Sequence, residues 1–143
     1  EQPMARRTKP AGAYIGTESG FQKSAIRLGR SIAKCDSRLV THIPNGGQRT
    51  IMAGARLKAE GVVAGYPDIV VFSVRRLILR EGADLWTQLF AGLAIELKVW
   101  PNKPSADQEE IHRLLRDEGW RVEVCYGLGE VERITREYFG VGN

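Results

Sequence analysis

Phe21, Ala25, Leu28 and Ile32 recur at i, i+4, i+7 and i+11, the stripe of a helix that buries one side, and predict a helix over residues 17–35. Glu18 falls on the same stripe, which puts a carboxylate on the core-facing side, while Gly20 is a weak helix former inside the first turn. A short strand is expected over residues 39–43, with Asn45-Gly46 beyond it as a strong tight-turn pair. Residues 52–60 have helical composition, and Gly61 ends them as a C-cap would. Ile69-Val70-Val71-Phe72 is an unbroken apolar run of the kind found in a strand covered on both sides. Leu77-Ile78-Leu79 predicts a strand over residues 76–79, lying between that run and a further strand over residues 93–100. Ile111, Leu114 and Leu115 mark the buried face of a helix over residues 105–118, followed by a strand over 121–126 and a closing helix over 130–138. Between these, residues 73–93 carry Leu85-Trp86 and Leu89-Phe90, expected as an apolar insert that faces a partner.

Two of the apolar runs carry acids at telling places. Pro67 lacks an amide hydrogen and fixes its own φ, which suits the first position of a strand, so Asp68 is expected where a sheet opens. In Ala94-Ile95-Glu96-Leu97-Lys98-Val99 side chains alternate, so Ile95, Leu97 and Val99 share one face and Glu96 and Lys98 the other. The Cα atoms of Glu96 and Lys98 then stand about 6 to 7 Å apart. Two carboxylates and an amine within reach of one point suit a divalent metal and a phosphodiester, although the same residues could form no more than a surface ion pair.

The pattern resembles the PD-(D/E)XK nuclease superfamily, and more closely its VRR-NUC family, the virus-type replication-repair nucleases. The resemblance runs over residues 17–139. Besides Pro67-Asp68 and Glu96-Leu97-Lys98, it rests on Ile43-Pro44-Asn45-Gly46-Gly47, Leu57-Lys58-Ala59-Glu60-Gly61-Val62, Gln108 and Val124-Cys125-Tyr126-Gly127, in the order the family has them. A proline-aspartate with a downstream E-x-K is a weak signal alone, and the ordered set is a strong one. The resemblance implies an α/β fold with a restriction-endonuclease-like PD-(D/E)XK core, a central mixed β-sheet flanked by α-helices. It also implies roles. Asp68 and Glu96, with the backbone carbonyl of Leu97, would hold Mg²⁺ or Mn²⁺, with Glu18 completing the shell directly or through water. Lys98 would position the attacking water, and Gln108 would orient Lys98 or the nucleophile. Plainer readings stand beside two of these: Glu18 as an acid favoured at a helix N-terminus, and Gln108 as one half of a capping box with Ser105.

Composition sets limits without naming a substrate. The chain has 143 residues, of which 27% are charged and 43% hydrophobic, ordinary values for a globular protein of one domain. Residues 1–16 are expected as a flexible basic segment, with Glu1-Gln2-Pro3 set aside as an expression remnant, and residues 17–143 as a single nuclease domain. No apolar run approaches the roughly 18 residues of a membrane span, no signal-peptide pattern opens the chain, and two distant cysteines make neither a disulfide framework nor a zinc cluster. A cytoplasmic location is the default expectation. The net charge of +4 favours a polyanionic partner. Arg6, Arg7 and Lys9 at the start, Arg49 after the Asn45-Gly46 turn, and Arg75, Arg76 and Arg80 around Leu77-Ile78-Leu79 are the candidates for phosphate contact, each also readable as a solvated surface group.

The expected function is therefore a metal-dependent DNA endonuclease. Small stand-alone members of the family act as dimers on branched DNA, including four-way junctions, so the resemblance implies a homodimer with that substrate. A flap or single-strand nuclease of the same chemistry, a DNA-binding module with a vestigial site, and a subunit needing a repair or replication partner are the alternatives. Absence of a base-reading motif favours recognition of shape and backbone.

Overall fold

The structure, a computed structural model, describes residues 5–44 and 51–142. The Asn45-Gly46 turn, Arg49 and the first residues of the chain lie outside the described residues. The elements are α1 (Glu18–Ile32), a 3₁₀ turn at Ser37–Leu39, β1 (Val40–His42), α2 (Ile51–Ala59), β2 (Ile69–Val71), β3 (Arg75–Glu81), β4 (Asp84–Phe90), β5 (Leu93–Leu97), α3 (Ala106–Asp117), β6 (Arg121–Cys125) and α4 (Leu128–Phe139). No helix among the described residues is long and apolar enough to cross a membrane.

Four strands form a mixed sheet in the order β1-β2-β5-β6. β2 runs antiparallel to β1 and β5, and β5 pairs in parallel with β6 through the α3 crossover. All five residues of β5 are buried, because helices cover the sheet on both sides. On one side Leu93, Ile95 and Leu97 join Phe21 and Ala25 of α1 and Val131, Ile134 and Tyr138 of α4 in the main core. On the other, Glu96 meets side chains of α3. α1 buries Phe21, Ala25, Gly29 and Ile32, close to the stripe read from the sequence, and begins at the Thr17 cap, whose hydroxyl accepts the Gly20 N–H. The room left by the absent side chain of Gly20 is taken by Tyr14, whose ring stacks on Phe21 with centroids 4.7 Å apart.

Four expectations are corrected. The strand over residues 76–79 does not lie between the two acid-bearing strands: β2 pairs directly with β5, and β3 pairs with β4 in a separate two-stranded sheet. The cause is local, since Glu81 and Asp84 close a two-residue turn on Gly82, whose φ of 59° opens a hairpin that pairs β3 with its immediate successor. Leu114 is 44% exposed, and the buried residue of α3 is His112. Arg7, expected to be free for phosphate, donates to Pro101 O and Tyr126 Oη and lies over the Trp100 ring. Arg75 is likewise engaged: it donates to the Lys34 carbonyl and to Ser73 Oγ, and it covers the Phe139 ring. A cation held by ring faces and carbonyls within its own chain is a structural pin.

Candidate active site

Asp68 stands immediately before β2, at the point where that strand parts from β5. Pro67 cannot donate to the ladder, and the Leu97 N–H that faces this gap donates instead to Asp68 Oδ2 at 2.8 Å. The carboxylate is thereby tied to the strand that carries Glu96. The backbone that delivers it is itself pressed against α3, because Gly65, with φ of 101°, passes so close to the Asp107 carbonyl that a Cβ would sit 2.7 Å from it. Glycine is required there on both counts.

Glu96 is 2% exposed. Its Oε1 accepts from Gln108 Nε2 at 3.1 Å and lies 3.7 Å from Lys98 Nζ. Among the described residues its Oε2 has no hydrogen-bond partner, and it faces His112 Nε2 at 3.6 Å. The alternation of β5 thus brings Glu96 and Lys98 to one side, as the sequence pattern requires. Lys98 keeps its side chain largely buried at 13% exposure, and its N–H continues the ladder to Cys125 O. Gln108 holds two positions together: it forms a capping box with Ser105 through its backbone and carbonyl, and it spends its amide nitrogen on Glu96. The resemblance implied that Gln108 orients Lys98 or the nucleophile; its amide nitrogen here reaches Glu96, whose Oε1 also faces Lys98.

These groups line a cavity of about 500 Å³ together with Glu18, Ser19, Gln22, His42, Pro44 and Leu97. Burial pushes the Asp68 carboxyl up to about 7, and the Glu96 carboxylate beside it adds to the rise; the Leu97 N–H and the Lys98 ammonium pull in the other direction and do not prevail. Two acids on one cavity wall with a single ammonium beside them are short of positive charge. A carboxyl at Asp68 pushed up by burial beside the Glu96 carboxylate is what a hard divalent cation would relieve, and oxygen donors of this kind suit Mg²⁺ or Mn²⁺.

Glu18 departs from its expected position. It lines the cavity but is exposed at the first residue of α1, beyond the core-facing stripe, and among the described residues no three His, Cys, Asp or Glu side chains gather closely enough to hold an ion by themselves. Arg76 and Arg80 are exposed on the β3–β4 hairpin and do not line the cavity. Three residues of the site went unread in the sequence. Gln22, one turn after Glu18, lines the cavity and has a buried Nε2 without a partner among the described residues. His42 lines it with its Nδ1 2.7 Å from the Asp68 carbonyl. His112 stands one turn after Gln108, and that i, i+4 spacing was the available signal.

Comparison with known proteins places this arrangement in a fold. No family model and no curated protein matches the chain. A solved structure described as a VRR_NUC domain protein matches it with a TM-score of 0.66 at 23% identity, over 89% of this chain and 91% of the other. The chain therefore has the fold of a VRR_NUC domain protein, in keeping with the family that its sequence motifs resemble.

Proposed function

We propose that the chain is a metal-dependent nuclease that hydrolyses phosphodiester bonds in DNA, with branched DNA such as four-way junctions as its substrate and a homodimer as its working form. The observation that carries the reading is the meeting of Asp68, Glu96 and Lys98 on one cavity wall, two acids and one amine at the open end of a sheet. Asp68, Glu96 and the Leu97 carbonyl would hold Mg²⁺ or Mn²⁺, with Glu18 reaching it from the facing helix. When bound, such an ion lowers the pKa of a coordinated water and offsets charge that builds on the phosphorane-like transition state.

The protein's own groups have distinct parts. Asp68 is fixed by the Leu97 N–H and must lose its proton to act as a ligand. Glu96 is fixed by Gln108, so its Oε1 stays among the cavity groups. Lys98, held in a largely buried wall, brings a positive charge to a phosphate oxygen and orients the attacking water by donating to it. Arg76 and Arg80 extend the basic surface along the hairpin and steer a polyanion by charge.

A cleavage panel of four-way junction, flap, fork and nicked duplex DNA, run with Mg²⁺, with Mn²⁺ and with EDTA, tests the reading. Metal-dependent cutting with preference for the four-way junction is expected, and Asp68→Asn should abolish it. Preference for a flap would transfer the same chemistry to the other branched substrate. Binding of DNA with no cutting under any metal would sink the enzymatic reading in favour of a binding module.

A further inference from the structure

Gln108 and His112 lie one helical turn apart on the same side of α3, and both address Glu96. Gln108 Nε2 donates to Oε1 at 3.1 Å, and His112 Nε2 lies 3.6 Å from Oε2. Each carboxylate oxygen thus has its own residue of the helix. His112 and Glu96 are each 2% exposed, and the two atoms that face each other, His112 Nε2 and Glu96 Oε2, are both buried and, among the described residues, without a hydrogen-bond partner. A buried donor and a buried acceptor left unpaired each carry a desolvation penalty. The gap between them is only slightly longer than a hydrogen bond. Core filling does not explain the imidazole, because an apolar side chain would occupy the place without that penalty.

The geometry points to His112 as a positioning residue for Glu96: the imidazole donates from Nε2 to Oε2 and, with Gln108, fixes the plane of the carboxylate. The torsion that turns a glutamate's carboxylate is broad and has no sharp preferred value. Gln108 and Lys98 both address Oε1 and leave Oε2 able to turn about it. The contact from His112 removes that freedom, keeps Oε2 turned toward α3 and presents Oε1 among the cavity groups. The inference rests on the proposed role of Glu96 in holding a divalent ion. Outer partners that orient a ligand change metal affinity by about 10- to 100-fold when removed.

The test uses two substitutions at one position. His112→Gln keeps a side-chain N–H near the place of Nε2, and His112→Leu fills the volume without a donor. Mn²⁺ binding, followed by electron paramagnetic resonance on the folded protein, should weaken about 10- to 100-fold in His112→Leu and return to within about threefold of the parent in His112→Gln. A second arm needs no metal. In EDTA, His112→Leu should lower the urea midpoint of the parent, and leave it unchanged or raise it in a Glu96→Leu background, where no carboxylate remains to be orphaned. A His112→Leu protein that unfolds cooperatively and binds Mn²⁺ as tightly as the parent would overturn the proposal, as would equal midpoint shifts in the two backgrounds. Should the parent itself bind no Mn²⁺, the metal reading of the cavity fails, and the EDTA arm still decides whether His112 holds Glu96.

Discussion

β5 has two faces, equally dry and opposite in kind. Leu93, Ile95 and Leu97 enter the hydrophobic core beneath α1 and α4. Glu96, one residue away and as deeply buried, carries an oxygen without a partner among the described residues and stands beside an aspartate whose carboxyl burial has pushed up to about 7. Depth of burial does not separate scaffold from site here. What separates them is whether the buried groups are satisfied, since apolar burial stabilises by about 25 cal/mol per Å² and an unpaired buried acid does the reverse.

The largest effect expected from breaking this contrast is on the polar face. Glu96→Gln should lower metal-dependent DNA cleavage by at least about 10³-fold, the scale of removing a metal's hold on the reaction, while the melt stays cooperative. Cleavage within tenfold of the parent would show that the polar face is not the site. On the apolar face, Ile95→Ala should reverse the pattern. It costs about 2 to 5 kcal/mol of stability by opening a cavity, measurable by urea unfolding, and leaves the rate per folded molecule near that of the parent.

A third prediction joins the faces through pH. In the folded chain the Asp68 carboxyl is raised from its usual 3.8 to about 7, so the folded state holds this proton more tightly than the unfolded one. The stability it contributes is complete below about pH 4 and is lost as pH rises through about 7. In EDTA, Asp68→Asn should therefore be more stable than the parent at pH 8 by roughly 1 to 3 kcal/mol, with the difference shrinking toward pH 4. A parent that gains stability relative to Asp68→Asn between those pH values would contradict it. The smallest effect is expected at the hairpin, where Arg76→Ala with Arg80→Ala should change folding stability by no more than about 0.5 kcal/mol. DNA binding should weaken by a few-fold, with a shallower salt dependence in a titration at several ionic strengths.

The parts of the site legible in the sequence are those whose geometry is set within a few residues. The alternation of β5 places Glu96 and Lys98 together whatever the sheet does next to it, and Pro67 puts Asp68 at a strand's start. Gln108 was legible as a capping residue, because its spacing from Ser105 in the first turn of α3 determines that, and as a site residue only through the family motif. Glu18 was misplaced onto the core side because a helical stripe describes the middle of a helix, whereas the first residue projects past the layer it covers. His112 was missed because a hydrophobic pattern gives no weight to a polar residue on the buried face, and Leu114 took its place in the reckoning. The pairing of β2 with β5 is a matter of topology: Leu77-Ile78-Leu79 reads equally well as a central strand or as half of a hairpin, and only the Gly82 turn tips the balance.

The bond from the Leu97 N–H to Asp68 Oδ2 closes a fork in the sheet with a side chain where main chain would ordinarily run out of partners. A group placed at such a fork inherits the stiffness of the strands on either side, and displacing it means unzipping the two from their ends. The reacting end of Asp68 is in this sense part of the fabric of the sheet. Its replacement by alanine would strip an acid from the cavity and at the same stroke leave a backbone amide stranded, so asparagine is the substitution that isolates charge from architecture.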